Sequence, residues 1–113
     1  MIGQAINDFR VANGARPVSH WERPVDDYCV AHSKAMADRG DLYHSPDCCR
    51  PGMGEVVGAS AMLSSFRDTA RHIIFKLIGE STDGHREMLL GWSTVAYGCH
   101  VRDGMVYLTI RGN

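Results

Sequence analysis

The segment TVAYGCHVRDGMVYLTIR, at residues 94–111, decides the fold. Two β-prone runs, residues 94–102 and 105–111, flank the dipeptide Asp103-Gly104. An Asp-Gly pair between two such runs is a strong signal for a type I′ turn, in which both central residues have positive φ. The chain is therefore predicted to end in a β-hairpin.

Helical periodicity dominates the chain before this hairpin. A first helix is predicted over residues 2–13, with a stop at Asn13-Gly14. A second begins near Pro24, which suits a first helical turn, and ends at Gly40. A third covers residues 61–78, and a short helix covers 85–90. The predicted apolar faces are Ile2, Ala5, Ile6 and Phe9 in the first helix, Val25, Tyr28, Cys29, His32, Ala35 and Met36 in the second, and Met62, Phe66, Ala70, Ile73, Ile74 and Leu77 in the third.

Residues 40–60 are rich in Gly, Pro, Asp and Cys. They are predicted to form a long loop that leads into a short strand over residues 55–59, and loops of this length commonly carry function. Helices that precede a terminal hairpin favour an α+β fold in which helices cover a sheet, as in a layered α-β-α arrangement. With 113 residues, the chain is expected to be a single domain, residues 1–113.

Composition excludes some classes of partner. The net charge is -1 and the basic residues are dispersed among acids, which gives no reason to expect nucleic-acid binding. No apolar stretch approaches the roughly 20 residues of a transmembrane helix, so no transmembrane segment is predicted. Residues 1–15 contain Asp8 and Arg10 and lack an apolar centre, so no signal peptide is visible.

Four cysteines leave the redox compartment open. Cys29, Cys48, Cys49 and Cys99 permit two disulfides in three connectivities. They lack the Cys-x-x-Cys spacing of many structural zinc sites. For Cys29 and Cys99, a small buried core residue and a disulfide partner are both consistent with the sequence.

Two histidines and two acids are the candidate polar site: His44, His85, Glu55 and Glu80. These side chains can bind a divalent cation or perform acid-base chemistry. Each also has a plainer interpretation. His44 can be a solvated loop residue, His85 a helix-capping residue, Glu80 a solvated helix end, and Glu55 a strand-edge charge or a buried group that orients a histidine.

Other polar residues fit structural roles better. His32 lies on the apolar face of the second helix and is predicted to be a hydrogen-bonded core histidine, and Ser33 is predicted to be structural. Tyr43 can offer its hydroxyl to a cleft or simply pack. Ser45 follows His44, but adjacency in sequence does not create the geometry of a nucleophile and its base.

Several short motifs, in their order along the chain, carry a family resemblance. They are Ile6-Asn-Asp-Phe-Arg10 with Gly14, Pro17, Val18 and Trp21 ("LNxxR…G…PLxW"), Ala31-His-Ser-Lys-Ala-Met-Ala37 ("AxxHSxxMA"), Gly40-Asp-Leu-Tyr-His-Ser45 ("GxLxHS"), Gly54-Glu-Val-Val57 ("GENV"), Gly84-His-Arg-Glu-Met-Leu-Leu90 ("GHRxNLL"), and Tyr97-Gly98 with Tyr107 in the closing strands. The ordered set resembles the CAP superfamily of cysteine-rich secretory proteins, antigen 5 and pathogenesis-related proteins, and is most similar to the bacterial-type members.

The resemblance implies an α-β-α sandwich whose cleft holds two histidines and two acids. Three of these positions correspond to His44, Glu55 and His85. The fourth corresponds to Glu80 through Leu77-Ile-Gly-Glu80, which has the spacing of the family's "WxxE" with Leu in place of Trp. Many bacterial members have Ser at this fourth position. Val56 and Met88 replace motif asparagines, so hydrogen bonding near the cleft must differ.

The favoured function is a binding module. In this hypothesis His44 and His85 coordinate Zn²⁺ or another divalent cation, with Glu55 and Glu80 around them. The resemblance implies a secreted or extracellular protein that recognises a lipid, a small molecule or a cell-surface ligand. The alternatives are a metal-dependent hydrolase or protease, with Glu55 or Glu80 as general base, and a structural domain with a vestigial cleft. Because no nucleophile or substrate motif accompanies the four residues, weak or absent general protease activity is expected.

Overall fold

The computed structural model describes residues 1–22, 27–46, 53–82 and 84–113. The elements in this part of the chain are α1 (Ile2–Ala12), β1 (His20–Trp21), α2 (Asp27–Arg39), β2 (Gly54–Ala61), α3 (Phe66–His72), a π-helix (Ile73–Ile78), α4 (His85–Gly91), β3 (Thr94–Arg102) and β4 (Met105–Gly112). The predicted start of the second helix, at Pro24 and Val25, lies outside the described residues. None of the helices found here is long and apolar enough to cross a membrane.

The predicted C-terminal hairpin is confirmed. Strands β3 and β4 pair antiparallel, with Arg102 opposite Met105 at the turn. Asp103 has φ 50° and Gly104 has φ 76°, which are the two positive φ values that a type I′ turn requires. The hairpin supplies the centre of the sheet, whose strand order is β1-β3-β4-β2. The short strand β1, parallel to β3, lies in a segment predicted to be only a connection.

Side chains alternate between the two faces of the sheet and create two cores. Val56, Leu108 and Ile110 point into the larger core, with residues of α1, α3, the π-helix and α4. Val57 and Tyr107 lie on the opposite face, where Met36 and Ala37 of α2 pack. Because successive strand residues point to opposite faces, one sheet separates these helix layers. The predicted α+β, three-layer α-β-α sandwich is therefore confirmed.

The first two helices end where glycine permits a left-handed turn. In α1 the predicted apolar face is buried, and the helix ends before Gly14, which has φ 80°. Helix α2 ends at Arg39, before Gly40 with φ 68°. Glycine has no Cβ to clash in this conformation, so it is the residue that ends helices at low cost.

The predicted third helix is confirmed in its buried Ala70, Ile73 and Ile74, but it is wrong at its start and in placing Met62 and Leu77 on the buried face. Strand β2 continues through Ala61, and α3 begins only after Ser65, whose side chain accepts a hydrogen bond from the Asp68 amide. The chain then widens into the π-helix, where the Gly79 amide donates to the Ile74 carbonyl at 2.9 Å. This i→i+5 bonding inserts an extra residue into the turn. Buried Ile73 and Ile74 are consequently followed by buried Ile78, whereas Met62 and Leu77 are 38% and 45% exposed.

The described cysteines are buried to different degrees. Cys29 is fully buried in α2. Cys99 is half-buried with a free thiol, so a bridge between these two residues does not form. Burial raises the pKa of the Cys99 thiol. Cys48 and Cys49 lie outside the described residues.

Candidate functional site

His44 and Glu55 meet on the sheet face that α2 covers. Glu55 is the second residue of β2, on the same side as Val57, and is 0% exposed. His44 lies in the irregular segment after α2, and its side chain is 47% exposed. The Nδ1 atom of His44 lies 3.0 Å from Oε1 of Glu55. The pair therefore joins a buried carboxylate to an imidazole that reaches solvent.

Ser45 holds the same carboxylate at both oxygens. Its backbone amide donates to Oε1 of Glu55 at 2.9 Å, and its hydroxyl donates to Oε2 at 2.7 Å. Sequence reasoning considered Ser45 only as a nucleophile and missed this role. The available signal was that Ser45 directly follows His44. Two consecutive residues can contact the same carboxylate, one through its side chain and the next through its backbone amide.

These contacts determine the charge of Glu55 and the tautomer of His44. Burial acts to raise the pKa of Glu55, but the hydrogen bonds from Ser45 and His44 outweigh burial and leave that pKa lowered. Glu55 is therefore ionised at neutral pH. Since a carboxylate can only accept, the hydrogen must be on Nδ1 of His44. In the neutral ring, the lone pair is then on Nε2, the form in which histidine binds metal.

His85 lies opposite His44. It is the first residue of α4, and the two ring centroids are 6.5 Å apart with an interplanar angle of 75°. The Nδ1 atom of His85 lies 3.3 Å from the hydroxyl of Ser81. The position of α4 is fixed in part by Arg10 of α1, whose buried guanidinium donates to the Leu89 carbonyl at 2.7 Å. Burial lowers the pKa of Arg10.

Glu80 has a solvent-exposed side chain that pairs with Lys76. Its carboxylate is 3.5 Å from Nζ of Lys76, and both side chains are more than 60% exposed. The π-helix explains this position, because its extra residue turns Leu77 towards solvent and leaves Glu80 on the exposed side. Ser81, the next residue, makes the contact with His85.

Arg111 lies next to Glu55, on the neighbouring strand of the sheet. It is paired with Glu55 across strands β4 and β2, and its Nε lies 3.8 Å from Oε2 of Glu55. The guanidinium carbon lies 4.4 Å from the ring centroid of Tyr28. This distance is typical of a cation–π contact. Sequence reasoning did not single out Arg111.

The two residues assigned to structure behave as predicted. His32 is buried, and its Nε2 lies 2.7 Å from the Tyr43 carbonyl. The ring of Tyr43 packs edge-on against His32, with centroids 5.1 Å apart, and Arg39 lies over it, so packing describes Tyr43 better than a cleft hydroxyl. Ser33 is buried and bonds to the Gly98 carbonyl.

The site can supply two imidazoles backed by one carboxylate. Among the residues the structure describes, no three His, Cys, Asp or Glu side chains are arranged to hold a metal ion together. Two histidines are fewer than the three or four protein ligands that zinc sites usually use.

Solved structures with a similar fold cover nearly all of this chain. An extracellular protein containing an SCP domain from Bacillus anthracis has a TM-score of 0.62 and 20% identity over 99% of this chain, which spans only 39% of that protein. NaASP2, solved with Zn²⁺, has a TM-score of 0.61 and 13% identity. The match covers 99% of this chain and 76% of the NaASP2 chain. An outer surface protein from Borrelia burgdorferi has a TM-score of 0.60 and 12% identity. The match covers 97% of this chain and 86% of the Borrelia chain.

No protein-family model and no curated protein matches the sequence. The structural matches extend over both helix layers and the sheet, because each covers at least 97% of the chain. At 11–20% identity they establish the fold. The ordered helices, the sheet and the C-terminal hairpin of the described residues therefore give this chain a CAP-like fold.

Proposed function

We propose that this chain is a CAP-type binding module in which His44 and His85 share one divalent cation, with Zn²⁺ favoured. The observation that carries the proposal is the 6.5 Å separation of the two ring centroids, with Nδ1 of each ring beside a protein oxygen. With both Nδ1 atoms engaged in this way, both Nε2 atoms are available for the cation.

The spacing of the rings fits a shared zinc ion after a small movement. Two Nε2–Zn bonds of about 2.0–2.1 Å at a tetrahedral angle place the ring centroids about 5 Å apart. The rings must approach by about 1.5 Å, which a rotation of the half-exposed side chain of His44 can supply. Zinc is favoured because imidazole suits it and because the similar fold of NaASP2 was solved with Zn²⁺.

Glu55 supports the cation through His44. A carboxylate that accepts the Nδ1 hydrogen of a ligating histidine fixes the ring and makes Nε2 a better donor. Glu80 stays the predicted fourth member of the cleft, at its rim, and Ser81 supports His85 in the same way that Glu55 supports His44.

The burial of Glu55 favours binding over hydrolysis. A general base must reach the attacking water directly or through one intervening water. Glu55 is 0% exposed, and both of its oxygens already accept hydrogen bonds from His44 and Ser45. We therefore infer that the open coordination positions bind a polar group of a small molecule, a lipid or a cell-surface ligand. An extracellular location is supported by similar folds described as extracellular or outer-surface proteins.

Calorimetric zinc titration of protein purified without a polyhistidine tag tests this proposal. The wild type is expected to bind one Zn²⁺, and His44→Ala and His85→Ala are each expected to weaken binding strongly without loss of the thermal unfolding transition. His20→Ala is the matched control, because His20 is an exposed histidine in β1. Binding that is unchanged in both cleft variants, or equally weakened in His20→Ala, contradicts the proposal.

A further inference from the structure

A cavity lies beside Arg111. In the sheet, Arg111 is between Glu55 of β2 and Ala96 of β3, and the cavity is on the side of Ala96. Its volume is about 300 Å³. It is lined by Glu22, Met53, Thr94, Ala96, Arg111, Gly112 and Asn113. His44 and His85 do not line it. Thr94 and Ala96 flank Val95, which points into the larger core, so this cavity is on the α2 face of the sheet.

The guanidinium of Arg111 lies beside this cavity, is mostly buried, and does not have hydrogen-bond partners for all of its N–H groups. Its side chain is only 14% exposed. Its Nε is buried and has no hydrogen-bond partner among the described residues. Its Nη2 donates to the sulfur of Met53 at 2.8 Å, and thioether sulfur is a weak acceptor.

Glu55 does not complete the hydrogen bonding of Arg111. The 3.8 Å between Nε and Oε2 is beyond hydrogen-bond distance, and Oε2 already accepts from Ser45 at 2.7 Å. Tyr28 offers its ring face and holds the guanidinium plane in place. A guanidinium whose Nε lacks a partner and whose Nη2 has only a weak acceptor is chemically suited to a carboxylate, whose two oxygens can accept from both atoms.

We propose that this cavity binds a small organic carboxylate through Arg111. The carboxylate of Glu22, on the cavity wall, selects against dianions and favours a ligand that also carries an ammonium group, as a free amino acid does. The hydroxyl of Thr94 offers a further polar contact. The site is separate from the proposed zinc site, because neither histidine lines it and Arg111 is not a metal ligand.

An NMR titration of ¹⁵N-labelled, chelator-treated protein tests the proposal without zinc. Acetate, glycine and methylammonium are added at constant ionic strength, and the Nε–H resonance of Arg111 and the amides of Ala96 and Gly112 are followed. Acetate and glycine are expected to shift these resonances to saturation, with glycine binding more tightly, whereas methylammonium leaves them unchanged. Absence of saturation with both carboxylates, or an equal response to methylammonium, overturns the proposal.

Two variants and one control assign the binding to its residues. Arg111→Lys keeps the charge but loses the paired donors, so acetate affinity is expected to fall by about tenfold. Arg102→Lys, which alters an exposed arginine paired with Asp38, is expected to change nothing. Glu22→Gln, at an exposed position, is expected to remove the preference for glycine over acetate, and this comparison decides the matter if Arg111→Lys does not fold. Acetate affinity unchanged in Arg111→Lys, or a glycine preference retained in Glu22→Gln, contradicts the assignment.

Discussion

Replacement of Ser45 by alanine tests whether the hydrogen bonds to Glu55 stabilise the fold. Ser45→Ala removes the hydroxyl that donates to Oε2 at 2.7 Å and keeps the amide that donates to Oε1. A buried hydrogen bond to a charged group contributes about 1.5–3 kcal/mol. We expect the free energy of unfolding at neutral pH to fall by about 2 kcal/mol, which for a domain of this size lowers Tm by about 10 °C.

The pH dependence of this loss separates charge from packing. The pKa of Glu55 is lowered in the folded protein, so its contribution is complete above the pKa of the unfolded carboxyl and is lost as pH falls through the folded pKa. The difference between wild type and Ser45→Ala should therefore shrink from about pH 7 to below about pH 4.

Urea unfolding, followed by the fluorescence of buried Trp92, measures both effects. Ser33→Ala is the matched control, since the Ser33 hydroxyl is also buried but contacts only the neutral Gly98 carbonyl and Thr109 hydroxyl. That control should lose about 1 kcal/mol at either pH. An unchanged stability of Ser45→Ala, or a loss that is the same at both pH values, would refute the reasoning.

Three further outcomes are expected. Zinc affinity should be lower at about pH 5 than at about pH 7, because protons compete with the cation for imidazole. Calorimetric titration at both pH values measures this, and equal affinities would contradict ligation by histidine. Glu80→Gln should reduce zinc affinity less than Glu55→Gln does, since Glu80 pairs with Lys76 in solvent at the rim of the cleft; a larger effect of Glu80→Gln in the same titration would contradict this rim position. Gly104→Ala should lower the free energy of unfolding by about 1–2 kcal/mol, because Gly104 has φ 76°, and an unchanged denaturation midpoint would contradict the turn assignment.

The elements that could be predicted depend on local signals. Positive φ at Asp103 and Gly104 follows from a dipeptide, and the ends of α1 and α2 follow from Gly14 and Gly40. Each of these features is determined by residues within one turn. The layered architecture follows because a hairpin with one apolar row on each face needs helices on both sides.

The third helix was predicted only in part, and only one of its two differences from the prediction lacked a signal in the sequence. Its start at Phe66 carried a local signal, because Ser65 and Asp68 have the spacing of a capping motif. The π-helix carried none that could be recognised, since i→i+5 bonding depends on how the helix packs against its neighbours. At Gly79 an added Cβ would lie 2.6 Å from the ring of Phe9, a residue distant in sequence.

The site residues that could be predicted from the sequence are those that lie in recognisable motifs. Hydrophobic periodicity did not identify any of them. His44, Glu55 and His85 lie in three separate motifs, and the structure brings them together. The contact between Ser81 and His85 could not be predicted, because it depends on the path of the chain after the π-helix. Arg111 is part of an alternating strand and becomes noticeable only when the register places it opposite Glu55.

An anomalous diffraction map, recorded at the zinc edge from a crystal soaked in Zn²⁺, would locate the ion itself. We expect one peak between the rings of His44 and His85, about 2.0–2.1 Å from one nitrogen of each. We also expect Glu55 to keep its hydrogen bond to Nδ1 of His44 and not to touch the ion. A peak that involves only one of these histidines, or none between them while zinc is bound elsewhere, would contradict the shared cation site.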